Sequence, residues 1–222
     1  KKIQDDNFIT QEAAKYPKLL ESLAKKESGV KYRLEGYLFP ATYNVTDSTT
    51  AETLIDQMLA AMDKTMSRYY DVLATKNLTV HDVLTIASLV EKEGSTDQDR
   101  KNIASVFYNR LNQNMPLQSN IAILYAQGKL GQKTTLSEDA AIDTNIDSPY
   151  NVYKNTGLMP GPVDNPSLSA IEATVNPVKT DYLYFVANTE TGKVYFATTY
   201  AEHEKNVQEH VNSKLTKPSS SN

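Results

Sequence analysis

Residues 83–90, VLTIASLV, are the richest apolar run in a chain of mean hydropathy −0.49, and they end directly on Glu91-Lys92-Glu93-Gly94. The run falls far short of the ~20 residues needed to cross a bilayer, and Thr85 and Ser88 interrupt it. Val83, Ile86, Ala87 and Val90 recur at helical spacing, so the segment reads as a helix with one buried face. Thr79 is placed to cap its start, with Asp82 completing a capping box, and Gly94 stands where a terminating glycine belongs.

The surrounding pattern is also mainly helical. Residues 96–112 predict a second helix, with Asp97 and Asp99 in the first turn, where the helix dipole favours them. Its apolar face is Ile103, Val106, Phe107 and Leu111, and Met115-Pro116 ends it. Residues 10–26 predict an amphipathic helix carrying Leu19, Leu20 and Leu23. Residues 50–74 predict another, with Leu54, Met58, Met62 and Met66 in register as core filler. Shorter helices are expected at 120–127, stopped by Gly128, and at 167–175. The segment 32–45, YRLEGYLFPATYNV, is aromatic and β-prone, and reads as short strands around Gly36 and Pro40. Residues 182–188 and 193–199 predict a hairpin. Thr199 and Glu202 look like a further capping box, opening a helix to about Leu215. The tail 216–222 is expected to be disordered. The fold class is therefore α+β: mainly helical, with short antiparallel strands and a C-terminal hairpin followed by a helix.

Composition removes several functions. The 222 residues suit one domain, or one with a small subdomain. Net charge is −4, and Lys and Arg are scattered, so no basic stripe marks a nucleic-acid groove. There is no cysteine, which excludes thiol catalysis and thiolate-bound zinc. His203-Glu204 does not continue into the zinc-protease pattern, and His203 and His210 read as surface histidines. No nucleophile elbow or phosphate-cradling glycine loop is present, so no metal or cofactor is expected. The chain opens on charged residues without the apolar core of a signal peptide, which suggests a soluble piece of a longer protein.

Chemistry concentrates on the carboxylates. At roughly 100° per residue, Glu91 and Glu93 flank the apolar stripe while Lys92 points away. The negative end of the helix dipole and partial burial both disfavour an ionised Glu93, as a general acid requires. A helix that simply ends in solvated charges is the commoner outcome of this pattern. The chain has 14 Tyr, 5 Phe and no Trp, and Tyr37, Phe39, Tyr43, Tyr150 and Tyr153 lie in turn-rich segments where rings can meet a sugar face.

Five segments in order resemble one known family. They are Glu35-Gly36-Tyr37-Leu38-Phe39-Pro40; Ala87-Ser88-Leu89-Val90-Glu91-Lys92-Glu93; Val106-Phe107-Tyr108-Asn109-Arg110-Leu111 with Met115-Pro116-Leu117-Gln118-Ser119; Tyr150-Asn151-Val152-Tyr153 with Gly157-Leu158-Met159-Pro160-Gly161-Pro162; and Tyr182-Leu183-Tyr184-Phe185-Val186-Ala187 with Glu202-His203. This is the endolytic murein transglycosylase, or YceG-like, family, and the match looks closest to its streptococcal members. The resemblance places the catalytic acid at Glu93. It implies strand binding by Gln118, Ser119, Asn120, Tyr150, Asn151 and Tyr153. It divides the chain into a helical lead-in at 1–31, a catalytic domain at 32–215 and a tail at 216–222. The substrate it implies is the peptidoglycan glycan strand, cut at the MurNAc–GlcNAc bond to leave 1,6-anhydro ends. It further implies work beside the wall-synthesis machinery, on the outer face of the cell membrane, with an N-terminal membrane anchor outside this chain. One position departs: many members carry Asp after the L-Q-[TS] motif, where this chain has Asn120. Two alternatives stay open. One is a muramidase pairing Glu93 with Glu91 or Glu35, and the other is a non-catalytic glycan-binding or scaffold module.

Overall fold

A computed structural model describes residues 2–132, 142–188 and 191–212. In chain order the elements are α1 (Asp6–Lys15), α2 (Pro17–Leu20), α3 (Ala51–Met66), α4 (Tyr70–Thr75), α5 (Val80–Glu93), α6 (Asp97–Asn112), α7 (Asn120–Ala126), α8 (Leu168–Val175), β1 (Tyr184–Ala187), β2 (Val194–Ala197) and α9 (Tyr200–Val207). The strands pair antiparallel, with Tyr184 opposite Ala197 and Ala187 opposite Val194. The α+β reading holds, and helices carry the core.

The apolar run is buried more completely than one stripe requires. Every residue from Val83 to Val90 is buried, Thr85 and Ser88 included. A helix covered on all sides belongs at the centre of a domain, and α5 packs against α6, α7 and α8. Its start is the expected capping box: the Thr79 hydroxyl accepts the Asp82 N–H at 3.0 Å, and Asp82 accepts the Thr79 N–H at 3.0 Å. At its end Gly94 is extended, with φ −102° and ψ 125°, and not in the left-handed form that usually stops a helix. Glycine is required there for space, because a Cβ would lie 2.6 Å from Arg100 Cγ and 3.1 Å from that residue's backbone.

Several boundaries differ from expectation. The helix over 10–26 is broken at Tyr16, because Pro17 cannot continue the ladder of α1 and starts α2 instead. The long helix over 50–74 divides at Ser67–Tyr69 into α3 and α4. Its buried face is Ile55, Leu59, Met62 and Met66, so Leu54 and Met58 lie at the margin. Residues 32–45 contain no strand. Gly36 sits at φ +87°, and its N–H and that of Leu38 both go to Asn165 Oδ1, at 2.8 and 3.2 Å. A side chain there satisfies the backbone groups that a ladder would otherwise take. The last helix passes into a π-turn at Gln208–Asn212, and the expected tail lies outside the described residues.

One apolar cluster runs from Phe8 and Leu19 through α3, α5 and α6 to Val175, so α1 and α2 share a single core with the helices around α5. No helix among the described residues is long and apolar enough to cross a membrane.

Candidate active site

The two glutamates that end α5 have different surroundings. Glu91 Oε2 accepts the Ser167 N–H at 3.1 Å and the Ser167 hydroxyl at 2.5 Å, while Arg100 lies 3.6 Å from its other oxygen. Ser167 is the N-cap of α8, so Glu91 is a bolt between α5 and α8. Both of its oxygens are therefore occupied by groups of the fold.

Glu93 is the last residue of the helix and is half-buried. Its Oε1 accepts the Ser119 hydroxyl at 2.7 Å. Ser119 is the N-cap of α7, a position where serine ordinarily satisfies its own helix, yet its hydroxyl makes no capping bond. The diversion forgoes about 1 kcal/mol of capping and orients one edge of a carboxyl group instead. Asn120, the next residue, accepts the Tyr153 hydroxyl at 2.6 Å. Burial foremost, then the charge of Glu93, pushes the Tyr153 phenol up to about 12, so it remains a neutral donor. Glu93, Ser119, Asn120 and Tyr153 thus form one connected polar edge.

Arg110 holds this edge from behind. It is 5% exposed, and its guanidinium donates to the carbonyls of Leu183, Pro116 and Leu117 and to Gln118 Oε1 at 2.6–3.2 Å. Burial lowers its pKa, and a guanidinium stays charged in a protein. Gln118 is left-handed at φ +56°, unusual for a residue with a Cβ. Its N–H is fixed on the Val152 carbonyl at 3.0 Å, so Arg110 and the 150–153 segment clamp the strained turn that aims Ser119. The sequence motifs contain Arg110 without assigning it a role. Its signal was legible, because it follows Ile103 and Phe107 at the spacing of the buried face.

Three expected strand-binding residues are buried: Ser119, Tyr150 and Asn151. Tyr150 is 4% exposed, with its ring against Tyr125 and its hydroxyl accepting the Lys31 N–H at 3.4 Å. Asn151 is 1% exposed and spends its amide on the Thr144 and Ile146 carbonyls, with its oxygen on the Tyr153 N–H. Both shape the loop that carries Tyr153. Gln118 stays exposed, and Ser119 and Asn120 meet Glu93 as a group.

Glu35 lies in a separate recess, where it accepts the Tyr125 hydroxyl. Burial raises its pKa, the Asp164 charge adds to that, and the Tyr125 bond and Lys31 oppose it. No group of three or more metal-ligating side chains occurs among the described residues.

A carboxyl held by a hydroxyl, beside an amide and a phenol at an open edge, can deliver a proton to a polar substrate. The YceG-like family profile matches residues 2–209. The chain belongs to the YceG-like family. It is 69% identical over 214 residues to an endolytic murein transglycosylase of Streptococcus pneumoniae serotype 2, covering 96% of this chain and 39% of that protein. A Bacillus subtilis endolytic murein transglycosylase is 42% identical over 217 residues, covering 97% and 58%. The crystal structure of a yceG-like protein from Listeria monocytogenes superposes with a TM-score of 0.81 at 44% identity, covering 92% of this chain and 65% of that one. The chain therefore spans less than two thirds of the length of these curated family members.

Proposed function

We propose that this chain is the part of a peptidoglycan lytic transglycosylase that cleaves the glycan strand, with Glu93 as the proton donor. The observation that carries the reading is the Ser119–Glu93 hydrogen bond at the exposed end of an otherwise buried helix, in a chain whose relatives are named as murein transglycosylases. Glu93 protonates the glycosidic oxygen leaving C1 of N-acetylmuramic acid. The carboxylate so formed takes the proton of that sugar's own C6 hydroxyl, whose oxygen closes on C1 as the 1,6-anhydro ring. The nucleophile is tethered to the reacting carbon, and such effective molarities lower barriers by several kcal/mol. Gln118, Asn120 and Tyr153 position the strand, and Ser119 orients Glu93. Because the polymer lies outside the cytoplasmic membrane, the full protein works on that membrane's outer face, held by an N-terminal anchor, beside the machinery that builds the strand.

Asn120 favours a second reading. Where the family resemblance implies Asp in many members, this amide cannot help Glu93 take the C6 proton, and water becomes the competing nucleophile at C1. Such a hydrolase would not pair Glu93 with Glu91, which is bound to Ser167 and Arg100. Mass spectrometry of digested strands decides: anhydro ends support the transglycosylase, reducing ends the hydrolase, and intact strands that still bind would reduce the chain to a glycan-binding module.

A further inference from the structure

A cavity among the described residues is not used by the cleavage step. It has a volume of about 340 Å³, and its walls include Lys31, Glu35, Lys92, Tyr125 and Asp164. That volume falls within the range of ligand sites, but the wall carries two ammonium and two carboxylate groups, which a neutral sugar does not need. Lys31 is held in place, with Nζ donating to the Tyr125 carbonyl at 2.8 Å and lying 4.9 Å from that ring's centre. Lys92 and Asp164 pair at 3.3 Å with about a third of each side chain exposed, a contact weak enough for a ligand's own charges to replace. Glu35 lines the same cavity, fixed by Tyr125.

The position relates the cavity to the cleavage edge. Lys92 precedes Glu93 in α5, and Tyr125 lies in the last turn of α7, whose N-cap Ser119 holds Glu93. A helix of this length spans about 10 Å, the reach of roughly three extended residues. We propose that this cavity binds the peptide substituent of the glycan strand, a short chain bearing both an amine and carboxylates, while the sugar lies at Glu93. The inference rests on the glycan-strand reading above and adds the part of the substrate that reading leaves unplaced.

Lys31→Ala and Lys92→Ala test it, since both side chains stand at the cavity rim and outside the Glu93 edge. Each variant and the wild type are given glycan strands with their peptides and the same strands stripped by an amidase. The wild type is expected to show about tenfold higher kcat/KM on peptide-bearing strands, and each variant to lose that preference while matching wild type on stripped strands. Equal wild-type rates on the two substrates, or variants that lose activity equally on both, would overturn the proposal. A calorimetric titration with the free stem peptide separates this failure from that of the cleavage reading. Saturable binding by wild type, lost in the lysine variants, upholds the cavity even if no strand is cut, and absence of binding rejects it even if strands are cut.

Discussion

Two carboxylates receive a hydroxyl from opposite ends of α7: Ser119, at its start, donates to Glu93, and Tyr125, in its last turn, donates to Glu35. The chemistry of the two bonds is alike, and the settings are not. Glu93 ends a helix at an open edge, with Asn120 and Tyr153 beside it. Glu35 is set in a recess, where burial holds its pKa above the ordinary value. The difference teaches that a hydroxyl bond does not mark a proton donor by itself. Neither carboxyl is fully buried, so their neighbours distinguish them: Asn120 and Tyr153 beside Glu93, Lys31 and Asp164 beside Glu35.

The largest test removes the proton. Glu93→Gln should lower strand cleavage by about 10²–10⁴-fold, with glycan co-sedimentation unchanged. Retention of more than a tenth of wild-type turnover would move the chemistry elsewhere. Glu91→Gln should instead keep turnover and lower the melting temperature, because it loosens the α5–α8 bolt. Loss of a charge-assisted bond is worth about 1.5–3 kcal/mol, and each kcal/mol is about 2–4 °C for a domain of this size.

A smaller effect is expected from Ser119→Ala. Turnover should fall roughly tenfold to a hundredfold with KM little changed, since the hydroxyl orients Glu93 and the same 1.5–3 kcal/mol acts on the barrier. An equal rise in KM would show that Ser119 contacts the strand directly. Asn120→Asp sharpens the choice of nucleophile by adding a carboxylate beside Glu93. Its products should contain a larger share of anhydro ends than wild type, and an unchanged ratio by mass spectrometry would remove position 120 from that choice.

The smallest expected effect is on Glu35 and depends on pH. Its folded pKa is raised, chiefly by burial, so the ionised form opposes folding above the folded value. Below the unfolded reference of about 4.3 the group is protonated in both states and the penalty vanishes. Glu35→Gln keeps an oxygen for Tyr125, so it should melt slightly higher than wild type at pH 7, with the gap closing near pH 4. A variant that melts lower at pH 7 would mean the ionised Glu35–Tyr125–Lys31 group stabilises the fold.

What could be read in the sequence was local. The capping boxes at Thr79 and Thr199, the start of α6 at Thr96 and the brief α7 depend on neighbours within a few residues, and each appears as expected. Residues 32–45 failed because strand-like composition says nothing about a distant amide, and Asn165 takes the N–H groups of Gly36 and Leu38. The role of Glu91 was hidden for the same reason, since Ser167 lies 76 positions away. The motifs named Glu93, Ser119, Asn120 and Tyr153, which the fold brings together. They could not separate Tyr153, at the edge, from Tyr150 and Asn151, which the fold consumes.

The bolt between α5 and α8 has a consequence for the order of assembly. Helices α5 and α6 are consecutive and can pair early, whereas the Ser88–Val163 and Glu91–Ser167 bonds join positions 75 and 76 apart. Closing so long a loop costs about 2 kcal/mol more than closing a ten-residue one. In refolding, helical circular dichroism should therefore return before catalytic competence, because the segment that supports Glu93 from the α8 side docks late. Further lengthening of that connection adds only about 0.6 kcal/mol per doubling in closure entropy, whereas an insertion within 150–163 would displace Tyr150, Val152, Met159 and Val163 from the core.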